Sequence, residues 1–92
     1  MSAATGYRPH VHEDDAPVTF PILVALCAGR PGWERTEHGA FIDWDELIPG
    51  SFSTSETALA HMLRGMVMIE LHGGGLPIRL QDSVRAAIVA LS

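Results

Sequence analysis

The hydrophobic and polar positions follow a helical period along most of the chain, and the first predicted helix is almost entirely apolar. Apolar residues run nearly uninterrupted over residues 20–28. Thr19 precedes them and can cap the helix, and Gly29 can close it. A helix with so little polar face tends to lie at the centre of a core or in an interface.

The longest predicted helix covers residues 53–73 and has a clear start and end. The Ser53 hydroxyl can accept from the Glu56 amide while the Glu56 carboxylate accepts from the Ser53 amide, which is a capping box. Residues 67–71 would also suit a strand, but they continue a capped periodic segment, so the pattern favours helix. The apolar positions of this helix are Ala58, Leu59, Met62, Leu63, Met66 and Ile69.

The segment before the long helix shows two different patterns. Residues 33–42 suit a short hairpin that turns at Gly39, and an irregular loop fits them equally well. Asp43 then caps a short predicted helix over 43–48, with acidic residues in its first turn. Pro49-Gly50 is expected to end that helix.

The last predicted helix begins at about Gln81 or Asp82 and extends to Leu91. Residues 76–79 before it form either a connector or a short extra helix that starts at Pro77. The apolar stripe of the last helix consists of Val84, Ala87, Ile88 and Leu91.

These elements predict an all-α fold, a small bundle of three to four helices, with the hairpin at 33–42 as an open alternative. Residues 1–16 lack periodicity and become acidic towards their end, so they are predicted to form a flexible acidic N-terminal tail. Residues 17–92 are then a single helical domain, because a chain of 92 residues supports one modest core.

Composition and charge narrow the classes of partner. The chain is 47% hydrophobic and 18% charged, with a net charge of -5, which is typical of a globular domain. The basic residues are all arginine and are scattered, whereas nucleic-acid binding needs a basic stripe. No run approaches the roughly 20 apolar residues of a membrane span, and the first residues lack a signal-peptide pattern. We therefore expect no nucleic acid, no membrane and a cytoplasmic location.

The single cysteine and two histidines are the candidates for metal or thiol chemistry. Cys27 lies inside the apolar segment 20–28 and is expected to pack in the core, since no base lies near it in sequence. His10 and His12 would point the same way from an extended segment, beside the acidic residues 13–15. They form an alternative zinc or nickel site, while the leading expectation is no metal and no cofactor.

Two motifs that look catalytic are better explained as helix ends. Residues 72–75, His-Gly-Gly-Gly, match the oxyanion loop of some lipases and esterases, but those enzymes also need a Gly-x-Ser-x-Gly serine and a large sheet. A helix C-cap explains this motif, because glycine accepts positive φ. Asp43, Asp45 and Glu46 similarly suit capping and dipole compensation. We expect no enzyme activity.

From Phe41 onward, three segments of the chain resemble a group of small uncharacterised proteins from actinobacteria and their bacteriophages. In that group the second segment more often reads Ser-Ser-Gly-Glu and the third has two acids, so Ser55 and Gln81 depart from the pattern. The resemblance implies helical structure, an accessory actinobacterial or bacteriophage protein and a GC-rich genome, in keeping with the lack of Lys and Asn. It implies no site residues. The segments are Ile-Asp-Trp-Asp-Glu-Leu at 42–47, Ser-Thr-Ser-Glu-Thr-Ala-Leu at 53–59 and Leu-Gln-Asp at 80–82.

The leading functional hypothesis is a small non-enzymatic protein-interaction module that binds itself or a host protein. Trp33 and Trp44 are candidates because aromatic residues are enriched at binding hot spots. Gly65 lies inside a helix and would let another helix approach closely, and Met68 lies off the core stripe. The alternatives are an acidic decoy of a nucleic-acid-binding protein and a small histidine-based metal-binding protein.

Overall fold

The structure, a computed structural model, describes residues 9–91 and gives only the backbone of Leu91. In chain order the elements are β1 (His10–His12), a 3-10 helix (Glu13–Asp15), α1 (Thr19–Cys27), β2 (Trp33–Thr36), β3 (Gly39–Ile42), α2 (Trp44–Ser51), α3 (Thr54–Leu71) and α4 (Ile78–Leu91).

The prediction of an all-α bundle is wrong, because four helices pack with a three-stranded antiparallel sheet. The strand order is β1-β3-β2. The hairpin that the sequence left open is β2 and β3, in which Trp33 lies opposite Ile42. The additional strand, β1, pairs with the other edge of β3, where Val11 lies opposite Ala40. A side chain at Gly39 would overlap the Val11 carbonyl oxygen, so the close approach of β1 requires glycine there.

The boundary predicted between tail and domain at residue 16 also differs from the structure. Val11 points into the core from β1, and Ala16 after the 3-10 helix is completely buried. The Glu13 amide donates to the His38 carbonyl in the β2–β3 turn. Residues 10–16 thus belong to the domain, and the rest of the predicted tail, residues 1–8, lies outside the described residues.

Helix α1 lies in the middle of the molecule, and its N-terminus is capped by a residue from α3. The sequence suggested Thr19 as its N-cap, but Thr19 is the first helical residue. Instead, the Glu70 carboxylate accepts from the Thr19 amide at 2.8 Å, the Thr19 hydroxyl at 2.7 Å and the Val18 amide at 3.2 Å. An anion at this position satisfies free amides and complements the helix dipole.

Arg30 fixes the other end of α1 to the junction between α2 and α3. Its guanidinium donates to the Leu26 carbonyl, the Ser51 carbonyl and, at 2.7 Å, the Glu56 carboxylate. It also lies 4.4 Å from the centre of the Phe52 ring. Together with Glu70, this contact anchors α1 at both ends.

Local capping signals place α2 and α3 as predicted. Asp43 accepts from the amides of Asp45 and Glu46, and the Ser53–Glu56 capping box is complete. Residues 67–71 are helical, which resolves their strand ambiguity. Helix α2, however, continues past Pro49 to Ser51 rather than ending at residue 48.

The core lies between α1, the inner face of the sheet and the inner faces of α2 and α3. Most of α1 belongs to it, whereas Val84 is the fully buried residue that α4 contributes within the described chain. Helix α4 begins at Ile78, so residues 78–80 are helical and not a connector. No described helix has the length and hydrophobicity that crossing a bilayer requires.

Candidate interaction surface

The outer side of helix α4 exposes large apolar side chains. Leu80, Ala87 and Ile88 are half-buried against the core. Ile78 and Val89, by contrast, are 73% and 74% exposed. One side of α4 therefore packs on the domain while apolar side chains on another side face solvent.

A shallow apolar groove of about 290 Å³ lies between α1 and α4. Its α1 wall is made where the otherwise buried helix reaches the surface at Pro21 and Ala25. A single arginine, Arg85, is the charged residue among its lining residues. The residues that line the groove are Pro21, Ile22, Ala25, Arg85, Ile88 and Val89.

The outward side of α3 carries two of the predicted interaction residues. Gly65 is exposed, and a Cβ added there would meet open space, so none of the described helices packs against it. Met68 is 36% exposed. Met62 and Ile69, which the sequence assigned to the core stripe, are also substantially exposed, while Met66 is buried as predicted. This side of α3 therefore presents apolar side chains to solvent.

The two tryptophans pack against the core, and Trp44 also lines a second groove, of about 260 Å³, between α2 and α3. Trp33 is half-buried and packs against the core. Trp44 is only 4% exposed, and its ring lies under the Arg64 guanidinium at 5.6 Å. Its indole nitrogen has no acceptor among the described residues. Both side chains thus contribute to packing, and their role in an interaction stays a prediction.

The predicted alternative metal ligands have protein partners instead. The His10 Nε2 lies 2.8 Å from the Thr36 hydroxyl, and the His12 Nδ1 accepts from the Asp14 amide at 3.1 Å. His12 also stacks on His38 with 5.7 Å between ring centres. Across residues 9–91, no three His, Cys, Asp or Glu side chains are grouped so as to hold a metal ion.

The remaining candidate groups have structural roles in the fold. Residues 72–75 end α3: the His72 amide donates to the Met68 carbonyl at 3.2 Å, and Gly73 has a φ of +82°. Cys27 is completely buried, as predicted, and burial raises the pKa of its thiol to about 12 against the smaller opposing effect of Arg30. A thiol with that pKa is not an activated nucleophile.

Comparison with known proteins adds no family to this geometry. No family model matches the chain, and no curated protein or solved structure matches it. The resemblance to small actinobacterial and bacteriophage proteins therefore stays a prediction.

Sequence reasoning did not identify the α1–α4 groove. The helical period of 78–91 reveals an apolar stripe but does not reveal which neighbour covers it or how much of α4 stays outside. One signal was available, since Ile78 and Val89 fall off the stripe formed by Val84, Ala87 and Ile88. Two apolar residues on the polar side of a helix are a sequence signal that apolar side chains face solvent there.

Proposed function

We propose that the protein is a small non-enzymatic interaction module, and that it binds a protein partner through the α1–α4 groove and the exposed outer side of α4. The observation that carries this proposal is the pair of highly exposed side chains, Ile78 and Val89, on the helix that forms one wall of an apolar groove. A partner helix laid there would remove them from water, which is favourable by roughly 25 cal/mol per Å² of apolar surface.

Three further features support an interaction role at this surface. The groove is apolar with one arginine on its edge, an arrangement common at interfaces, where arginine is enriched and other charges are depleted. Helix α1 gives it a rigid wall because α1 is anchored at both ends. The residues of the two motifs that look catalytic cap the ends of helices instead.

The resemblance adds a biological setting to the proposal. An accessory bacteriophage or actinobacterial protein that binds itself or a host protein fits a small module with one apolar binding surface. The metal-binding alternative has no group of three possible ligands within residues 9–91, and the acidic-decoy alternative stays a prediction.

The test compares variants at the two exposed apolar surfaces. Val89→Asp places a charge in the groove and is expected to abolish both self-association, measured by light scattering, and partner capture by immobilised full-length protein. Ser83→Asp adds the same side chain elsewhere on α4 and should have no effect. Gly65→Leu alters the outer side of α3 and is likewise expected to leave binding intact.

Two outcomes would contradict the proposed surface. If Gly65→Leu abolishes binding and Val89→Asp does not, the partner packs on α3. The interaction role itself is wrong if the unmodified chain stays monomeric and captures no protein whose binding is lost in Val89→Asp.

A further inference from the structure

Four residues on the exposed side of α4 lie along one line, spaced as in a coiled-coil seam. Ile78, Asp82, Arg85 and Val89 follow one another at intervals of four, three and four residues, the spacing that keeps side chains on one face. Each of the four is exposed. From Ile78 to Val89 the line rises over eleven residue steps, or about 16 Å of helix.

The order of these residues is symmetric in its chemistry. Asp82 and Arg85 lie equally far from the midpoint between them, and Ile78 and Val89 lie equally far from that same midpoint. Reversing the direction of the helix therefore exchanges the acid with the base and one apolar residue with the other. Such a line is complementary to an antiparallel copy of itself.

The two central charges are available for a partner. Neither Asp82 nor Arg85 forms an ion pair with another residue of the described chain. Both are exposed, so pairing between chains needs no internal contact to break.

From this symmetry we infer that the partner is a second copy of the same chain, bound through antiparallel α4 helices about a twofold axis. This inference rests on the proposed function and specifies its partner. Asp82 of each chain lies opposite Arg85 of the other, and Ile78 lies opposite Val89 at both ends. Such a contact is isologous, as a twofold dimer requires.

The charges also decide the relative direction of the helices. In a parallel pair, Asp82 would face Asp82 and Arg85 would face Arg85, and like charges in register oppose association. In the antiparallel pair, both contacts are attractive. The groove beside the line offers Pro21 and Ala25 of α1 as an apolar wall along the arriving helix. An interface between single helices belongs to the class of small interfaces, so the fraction of dimer depends on the protein concentration.

A charge exchange tests the inference directly in the full-length chain. Asp82→Arg gives a line with two basic residues at its centre, and Arg85→Asp gives a line with two acidic residues there. Each variant alone is expected to lose the dimer, with Kd raised at least about tenfold. An equimolar mixture restores both opposite-charge contacts and is expected to form a heterodimer about as stable as the original dimer, measured by sedimentation equilibrium at low salt.

Controls distinguish loss of the contact between the two α4 helices from loss of the fold. Measured well below the concentration at which the wild type dimerises, the two single variants should keep the wild-type circular dichroism spectrum and melting temperature, because both positions are exposed. Arg79→Asp changes a charge on another side of α4 and should leave the dimer intact.

Two results would overturn the inference. One is a wild-type chain that stays monomeric up to about millimolar concentration, and the other is a mixture of the charge variants that stays monomeric while the wild type dimerises. If Val89→Asp still abolishes capture of a different protein in either case, the interaction role stands and only the homodimer is wrong.

Discussion

Helices α1 and α4 form the two walls of the same groove, yet the rest of the chain fixes them very differently. Six of the nine residues of α1 are buried, and side chains from α3 and from its own C-terminal loop hold its two ends. Helix α4 is longer but contributes Val84 alone to the fully buried set of the described residues. The difference shows that α1 serves the fold, and it supports the proposal that α4 is completed by binding.

The largest expected contrast comes from the same truncation in each helix. Leu23→Ala in α1 removes a completely buried side chain, so the free energy of unfolding should fall by about 2–5 kcal/mol. Leu80→Ala in α4 removes a half-buried one and should cost about 1–2 kcal/mol. Urea denaturation measures both. Equal losses would show that α4 is as firmly packed as α1.

A smaller effect is expected from the cap that α3 supplies to α1. Glu70→Gln keeps the size of the side chain but removes the charge that accepts from the Thr19 and Val18 amides, so the free energy of unfolding should fall by about 1–3 kcal/mol. Glu37→Gln removes a charge from an exposed turn residue and should change stability by less than about 0.5 kcal/mol. If both variants unfold alike, Glu70 does not anchor α1.

The smallest effect concerns pH and the other end of α1. Bonds from the Ser53 amide and the Ser53 hydroxyl, with a further contribution from Arg30, lower the pKa of Glu56. Glu56 therefore adds stability above the ordinary glutamate pKa of about 4.3, and this contribution is lost as pH falls through the lowered value. Glu56→Gln should flatten the decline in melting temperature between about pH 6 and pH 3. An unchanged decline would show that other carboxylates dominate.

The features that sequence reasoning placed correctly are those whose partners lie within a few residues. The Asp43 cap and the Ser53–Glu56 capping box bond to amides two or three positions away, so the local pattern contains the whole interaction. The burial of Cys27 likewise follows from an apolar run.

The features that it missed depend on distant parts of the chain. Strand β1 has three residues and one buried side chain, Val11, and it becomes a strand only by pairing with β3 nearly thirty positions later. Glu70 caps α1 from 51 positions away. The exposed side of α4 was missed for the same reason, since a helical period does not tell which neighbours cover each face.

The most direct test of the account is hydrogen exchange of α4 compared with α1 at increasing protein concentration. At about 10 μM we expect the amides of Ile78–Leu91 to exchange much faster than those of α1, because few buried contacts protect them. At about 1 mM the α4 amides should become protected as the second chain binds, while α1 stays unchanged. The account is contradicted if the α4 amides exchange at a rate that does not depend on protein concentration, or as slowly as the α1 amides at every concentration. Either result would show that no second copy covers α4.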